Sequence, residues 1–242
     1  MKPTTSLLIG CLLLMVTGAS AQPFEKDSFV TRKGQLDITF IKHGSLLLAY
    51  NGSTIYVDPV SDYADYSLLP KADVILITHE HSDHLDPKAI ANIKKESTIL
   101  VVNPTVYEQL GEGAVMKNGD EQRLTPYLYV KAVPAYNTTP GREQYHPRGS
   151  GNGYVLTIDD KRVYIAGDTE DIYEMMDLKD IDIAFLPVNQ PYTMTPKQAA
   201  KAALMVKPTI LYPYHYGATR IQELVELLQY DMNIEVRIRQ LQ

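Results

Sequence analysis

The stretch Val74-Ile75-Leu76-Ile77-Thr78-His79-Glu80-His81-Ser82-Asp83-His84-Leu85-Asp86 decides how this chain is read. Four apolar residues, entered from the polar Lys71-Ala72-Asp73, predict a short buried strand. What leaves that strand is a loop crowded with imidazoles and carboxylates. Burying such groups without partners is costly, and a cation that binds them removes the cost. A solvated polar loop is the plain alternative, but it leaves unexplained why a hydrophobic strand is aimed into it.

Spacing adds to composition. His79 and His81 are two apart, so in an extended segment they point the same way, while the adjacent Asp83 and His84 can face a second point. One loop can therefore serve two neighbouring metal ions. Read together, His79, His81, Asp83 and His84 resemble the HxHxDH signature of the metallo-β-lactamase superfamily.

Before this loop, residues 1–21 carry Lys2, an apolar run from Leu7 to Val16, and Gly18-Ala19-Ser20-Ala21. That pattern predicts a secretory signal peptide, since about ten apolar residues are too few to span a bilayer core of about 30 Å. The mature domain, 22–242, then starts at Gln22 and is exported to the periplasm or beyond the cell. Leu8-Ile9-Gly10-Cys11 offers a competing lipoprotein-processing box, but the apolar run continues past Cys11, contrary to the usual order of regions. Cleavage removes the only cysteine together with Lys2, so the formal charge of −6 becomes −7 and stability must come from the core rather than from disulfides. A domain of this length buries roughly 70% of its unfolded surface. Its acidic balance disfavours a nucleic-acid partner, for which Lys and Arg supply the affinity, and no segment suggests stable membrane insertion after cleavage.

The first half of the domain reads as strands and turns. Leu36 to Phe40 alternates, and Leu46–Tyr50 and Thr54–Val57 flank Asn51-Gly52, a tight-hairpin dipeptide, so three antiparallel strands are expected before Asp58. Asp86 with Pro87 and Asn103 with Pro104 each open a helix, the second ended by Gly111, with a strand from Thr98 to Val102 between them. Asn118-Gly119 marks a turn, and strands are expected at 128–133, 154–158, 162–166, 181–186, 209–212 and 234–238. Thr195 with Gln198 and Thr219 with Gln222 read as capping boxes for two more helices. Residues 137–152 form the longest aperiodic stretch, and Arg142, His146 and Arg148 suggest a substrate-facing flap.

Strands and hairpins first, then strands alternating with helices, suit two packed sheets covered outside by helices, an α/β class. His79, Asn137, Asp168 and His215 each follow the end of an apolar strand, a rigid frame for a site. The superfamily resemblance covers nearly the whole mature chain and implies a four-layer αββα sandwich with metal ligands at one sheet edge. The patterns Tyr164-Ile165-Ala166-Gly167-Asp168-Thr169 and Tyr212-Pro213-Tyr214-His215-Tyr216-Gly217 look most like the branch of ascorbate-phosphate lactonases and N-acyl-phosphatidylethanolamine-type phospholipases.

The resemblance makes His79 and His81 ligands of one metal and Asp83 and His84 ligands of another, with Asp168 bridging and His215 completing the second. Taken alone, Asp168 fits a cap for a helix beginning near Glu170, and His215 a backbone-bonded buried histidine. A further histidine is implied just after the strand ending near Val133, but by register that position is Asn137. His146, nine residues on, is assigned the place because imidazole is the better zinc ligand, whereas His43 is left as structural support.

The expected chemistry is hydrolysis of a small ester, lactone or phosphodiester by a metal-bound hydroxide, with Asp83 orienting it and Tyr192 and Tyr214 available to bond substrate oxygens. Two divalent ions are expected, zinc by ligand chemistry, with Mn2+ and Fe2+ compatible with the same donors. A catalytically weak metal-binding or ligand-sensing protein is the alternative that Asn137 motivates. A nuclease fits less well with the acidic charge. The oligomeric state is not legible.

Overall fold

The computed structural model describes residues 24–242. The expected export segment, its cleavage point before Gln22 and the competing box at Cys11 lie outside the described residues. Among those described, no helix is long and apolar enough to cross a membrane.

Among the described residues, fourteen strands form two seven-stranded sheets. The first runs in chain order through β1 (Glu25–Val30), β2 (Gln35–Lys42), β3 (Ser45–Tyr50), β4 (Ser53–Val57), β5 (Val74–Leu76), β6 (Ile99–Val102) and β7 (Ala114–Val115). The second holds β8 (Glu121–Thr125), β9 (Leu128–Ala135), β10 (Gly151–Ile158), β11 (Lys161–Ile165), β12 (Ile183–Pro187), β13 (Ile210–Tyr214) and β14 (Glu235–Val236). Each sheet begins with four antiparallel strands and continues with three added in parallel. This shared plan is visible in topology although no sequence repeat announces it.

Alternation places the layers. Val74 and Leu76 enter the core between the sheets, while Ile75 and Ile77 turn to the other face, where Ala89, Ile90 and Ile93 of α1 (Pro87–Ile93) and Val106 of α2 (Pro104–Leu110) cover them. On the far side, Ala199, Ala203 and Val206 of α3 (Pro196–Val206) and Leu224 and Leu228 of α4 (Gln222–Leu228) pack on the second sheet. The result is the αββα sandwich. Caps form where expected at α1, α2 and α3: Asp86, Asn103 and Thr195 each accept a backbone N–H, and Gln198 returns the bond to Thr195.

Four expectations are corrected. A fourth strand, β1, precedes the predicted three, and β8 precedes the strand at 128; both are mostly exposed, so neither shows apolar alternation. The Thr219–Gln222 box does not form: α4 is entered through a tight turn in which Ile221 is already helical and no side chain caps it. No α-helix begins near Glu170, where the chain has no regular structure until a 3-10 turn at Tyr173–Asp177 entered from Ile172, so the capping role considered for Asp168 is removed. The last strand shortens to Glu235–Val236.

Candidate metal centre

The parallel strands deliver polar residues to one edge. Asp58 follows β4, the loop 78–86 follows β5, Asp168 follows β11, Asn189 to Tyr192 follow β12, and His215 follows β13. His43 is added by the β2–β3 turn and His146 by the loop between β9 and β10. Several of these turns need left-handed backbone: φ is +57° at His43, +44° at Asp58 and +50° at His215. Non-glycine residues held there mark a place where surrounding structure enforces the geometry. Gly167, at φ +65°, is required for a second reason, because a Cβ would meet the Asn152 carbonyl oxygen at 2.8 Å. At Gly44 an added Cβ would meet the His84 ring at 2.7 Å.

All seven residues singled out as ligands in the sequence come together. His79 Nε2 lies 3.1 Å from His81 Nδ1, and both fall with His146 in one group whose ligand atoms are all within 4.8 Å of one another. His43, Asp83, His84 and His215 form a second such group, and His79, His84 and Asp168 a third that overlaps both. Asp168 Oδ2 is 3.3 Å from His146 Nε2 and 3.3 Å from His215 Nε2, and its Oδ1 is 3.5 Å from His84 Nε2. Asp83 Oδ2 is 3.2 Å from His43 Nε2 and 3.4 Å from His215 Nε2. His43, read from the sequence as support, therefore belongs to the second group, its ring 3.7 Å from that of His215.

The fit of this set to metal can be tested on its unsatisfied atoms. His84 Nε2, His146 Nε2, His215 Nε2 and Asp168 Oδ1 are buried without a hydrogen-bond partner. Buried polar atoms are rarely left so, and a cation is what four atoms of this chemistry share as a partner. For His84 and His146 the opposite ring nitrogen is held from outside, whereas His215 Nδ1 is buried without a partner as well. His146 Nδ1 sits 3.1 Å from the Tyr192 carbonyl, which a donated N–H satisfies, leaving Nε2 as a lone pair. His84 Nδ1 meets Asp58 Oδ2 at 2.8 Å. Thr78 Oγ1 donates to the same Asp58 oxygen at 2.6 Å and receives His79 Nδ1 at 3.0 Å, so one buried carboxylate orients two histidines.

Charge is organised accordingly. Burial lowers His84, but Asp168 and Asp58 outweigh it and lift the imidazole to about 9. Burial and the neighbouring His84 hold His79 well below its ordinary value. Burial would raise Asp168, yet His215 and His84 pull its carboxyl well below the usual range; Asp83 is likewise held low by His215 and His43. The two carboxylates thus stay ionised and draw positive charge to the centre.

Beside the cluster opens a cavity of about 380 Å³ lined by His81, Ser82, Asp83, Tyr145, His146, Asp168, Asn189, Tyr192 and His215. Tyr145 and Tyr192 meet edge to face at 5.1 Å. The expectation of a flap presenting arginines is corrected: Arg148 pairs with Glu174 and lies over Tyr136, and Arg142 turns to Glu170, so neither lines the cavity. Tyr214 is also corrected, being buried with its hydroxyl donating to the Gly167 carbonyl. Asn137 stays outside the ligand groups; its Nδ2 donates to the Tyr192 and Arg142 carbonyls and ties the loop down. Asp58, Tyr145, Asn189 and Glu170 were missed from sequence, although Asp58 obeys the same rule as Asp168, a carboxylate directly after an apolar strand.

A four-layer αββα sandwich with histidines and aspartates gathered at one sheet edge defines a class of metalloprotein. Residues 37–215 match the family model described as the β-lactamase superfamily domain, and the chain belongs to the metallo-β-lactamase superfamily. It is 36% identical over 181 residues to a UPF0173 metal-dependent hydrolase of Enterococcus faecalis, covering 69% of this chain and 80% of that one. A crystal structure from Parabacteroides distasonis, for which a metal-dependent hydrolase activity has been put forward, is 63% identical with a TM-score of 0.89 over 91% of this chain and all of that one. Igni18, a metallo hydrolase of Ignicoccus hospitalis, shares the fold at 22% identity and a TM-score of 0.70, covering 85% of this chain and 95% of that one.

Proposed function

We propose that this metal-dependent hydrolase holds two divalent cations, one by His79, His81 and His146 and one by Asp83, His84 and His215, with Asp168 between them. The observation that carries the reading is the equal 3.3 Å reach of Asp168 Oδ2 to one histidine of each set. The all-imidazole and carboxylate donors suit zinc, and Mn2+ and Fe2+ as well. When bound, such ions supply Lewis-acid polarisation of a scissile carbonyl or phosphoryl oxygen and lower the pKa of water toward about 7. The chain's own residues do the rest. Asp83, ionised and braced by His43, orients the attacking water and passes its proton on; Tyr192, Ser82 and Asn189 offer neutral hydrogen bonds to the substrate.

A small ester, lactone or phosphodiester fits a cavity of about 380 Å³ whose lining carries neither Lys nor Arg. A polyanion such as nucleic acid finds no Lys or Arg there to neutralise its successive phosphates. β-Lactam cleavage does not follow from the superfamily, because a fold does not fix a reaction. Export to the periplasm or medium is part of the same reading and is supported by the pattern of residues 1–21.

Metal analysis combined with a panel of phosphodiesters, lactones, thioesters and β-lactams tests it. Two ions per chain with turnover on an ester, lactone or phosphodiester is the expected result. One ion and no turnover would overturn it in favour of a catalytically weak metal-binding or ligand-sensing protein.

A further inference from the structure

Glu170 lies outside the ligand set, yet its side chain is fully buried. A buried carboxylate needs donors, and those it has come from one place. Its Oε2 accepts the Thr139 N–H at 2.6 Å, the Thr138 N–H at 2.7 Å and the Thr138 hydroxyl at 3.1 Å. Its own N–H donates to the Tyr136 carbonyl at 3.0 Å, and Thr169 Oγ1 brackets Tyr136 from the other side. The root of the loop between β9 and β10 is therefore fastened to the segment that carries Asp168.

From that root a continuous set of bonds leads to the pocket. Thr139 O accepts from Arg142 N, Arg142 O accepts from both Tyr145 N and Asn137 Nδ2, and Asn137 N donates to His146 O at 2.9 Å. The chain of contacts ends on Tyr145 and His146, the two residues this loop gives to the cavity. We propose that Glu170 is a positioning residue: its buried carboxylate latches the loop root and so holds His146 and Tyr145 in place at the metal centre. The metal part of this proposal rests on the reading of His146 given above.

A carboxylate that merely stabilised the fold would weaken everything equally. A latch acts through His146. Exchanging Glu170→Ala should speed amide exchange across residues 137–150 by about tenfold or more while residues 154–165 keep the parent's rates, because local opening is separable from global unfolding. In zinc titrations against a competing chelator, Glu170→Ala should weaken one binding step by about 10-fold to 100-fold, the range seen when outer partners of a metal-ligating histidine are lost. In a His146→Ala background the same change should cost nothing further, since coupled residues are not additive. Should Glu170→Ala not fold, Glu170→Asp keeps the buried charge but draws the oxygens back by one methylene, and is read in the same way. Unchanged loop exchange, or an affinity loss of equal size with and without His146, overturns the latch. The exchange measurement needs no metal, so a chain that bound none would defeat the metal reading while still reporting on Glu170.

Discussion

Asp58 shows how much a single buried carboxylate can decide. It accepts the Thr78 N–H, the Thr78 hydroxyl and His84 Nδ1–H, and through Thr78 it also fixes the His79 ring. In Asp58→Asn the amide presents donors where His84 Nδ1–H donated, so the imidazole turns to the tautomer whose Nε2 carries the proton and faces the other ligands. Zinc affinity should then fall about 10-fold to 100-fold with the fold retained, as measured by chelator competition and circular dichroism; affinity equal to the parent's would show that Asp58 sets no tautomer. Asp168 and His215 separate in the same assay: Asp168→Ala should weaken both binding steps and His215→Ala mainly one. Two unaltered steps in each variant would rule out a bridging Asp168. At this scale the sequence was legible at His79, Asp168 and His215, polar residues that follow apolar strands, while Asp58, which obeys the same rule, was missed. Glu170 was not legible, because its partners are backbone N–H groups more than thirty residues away in the chain.

The helices and strands obey local chemistry unevenly. The Thr195–Gln198 box is formed in both directions, whereas the same letters at Thr219 and Gln222 cap nothing. Thr195→Ala should therefore cost about 1 kcal/mol of stability, and Thr219→Ala should stay within about 0.5 kcal/mol of the parent. Urea unfolding of the two variants side by side checks this, and equal losses would refute the assignment of caps. The difference is tertiary: packing of Leu224 and Leu228 holds α4 whether or not its end is capped. The same reasoning covers the unread strands. Sequence periodicity reports one buried face, so β5 and β13, buried throughout, and β2, alternating, stand out, while β1 and β8 at the edges of their sheets do not.

At the scale of the whole molecule, the two sheets are clasped at their outer ends by a cluster whose charged members, Glu25, Asp27, Arg237 and Arg239, lie outside the residues 37–215 matched to the superfamily. Asp27 of β1 receives Arg239 at 2.7 Å, Arg237 at 3.3 Å and the Tyr212 hydroxyl, and Gln240 N donates to Glu25. Arg239 also lies over the rings of Phe40 and Tyr212, so the ion pair sits on an aromatic floor shared by both sheets. Burial raises the Asp27 carboxyl, but Arg239, Tyr212 and Arg237 outweigh it and hold the group below its ordinary 3.8. A carboxyl whose folded value is depressed contributes stability that is present above the unfolded value and is lost as pH falls through the folded one. Asp27→Asn should accordingly destabilise the protein by about 1.5 to 3 kcal/mol at pH 7, the range for hydrogen bonds to a charged group. The gap between parent and variant should hold from neutral pH down to the unfolded carboxyl's value of about 4 and close below it, as Asp27 of the parent takes up its proton. Urea unfolding at a series of pH values reads this directly. A gap that stayed constant into acid would mean that shape, not charge, closes the clasp.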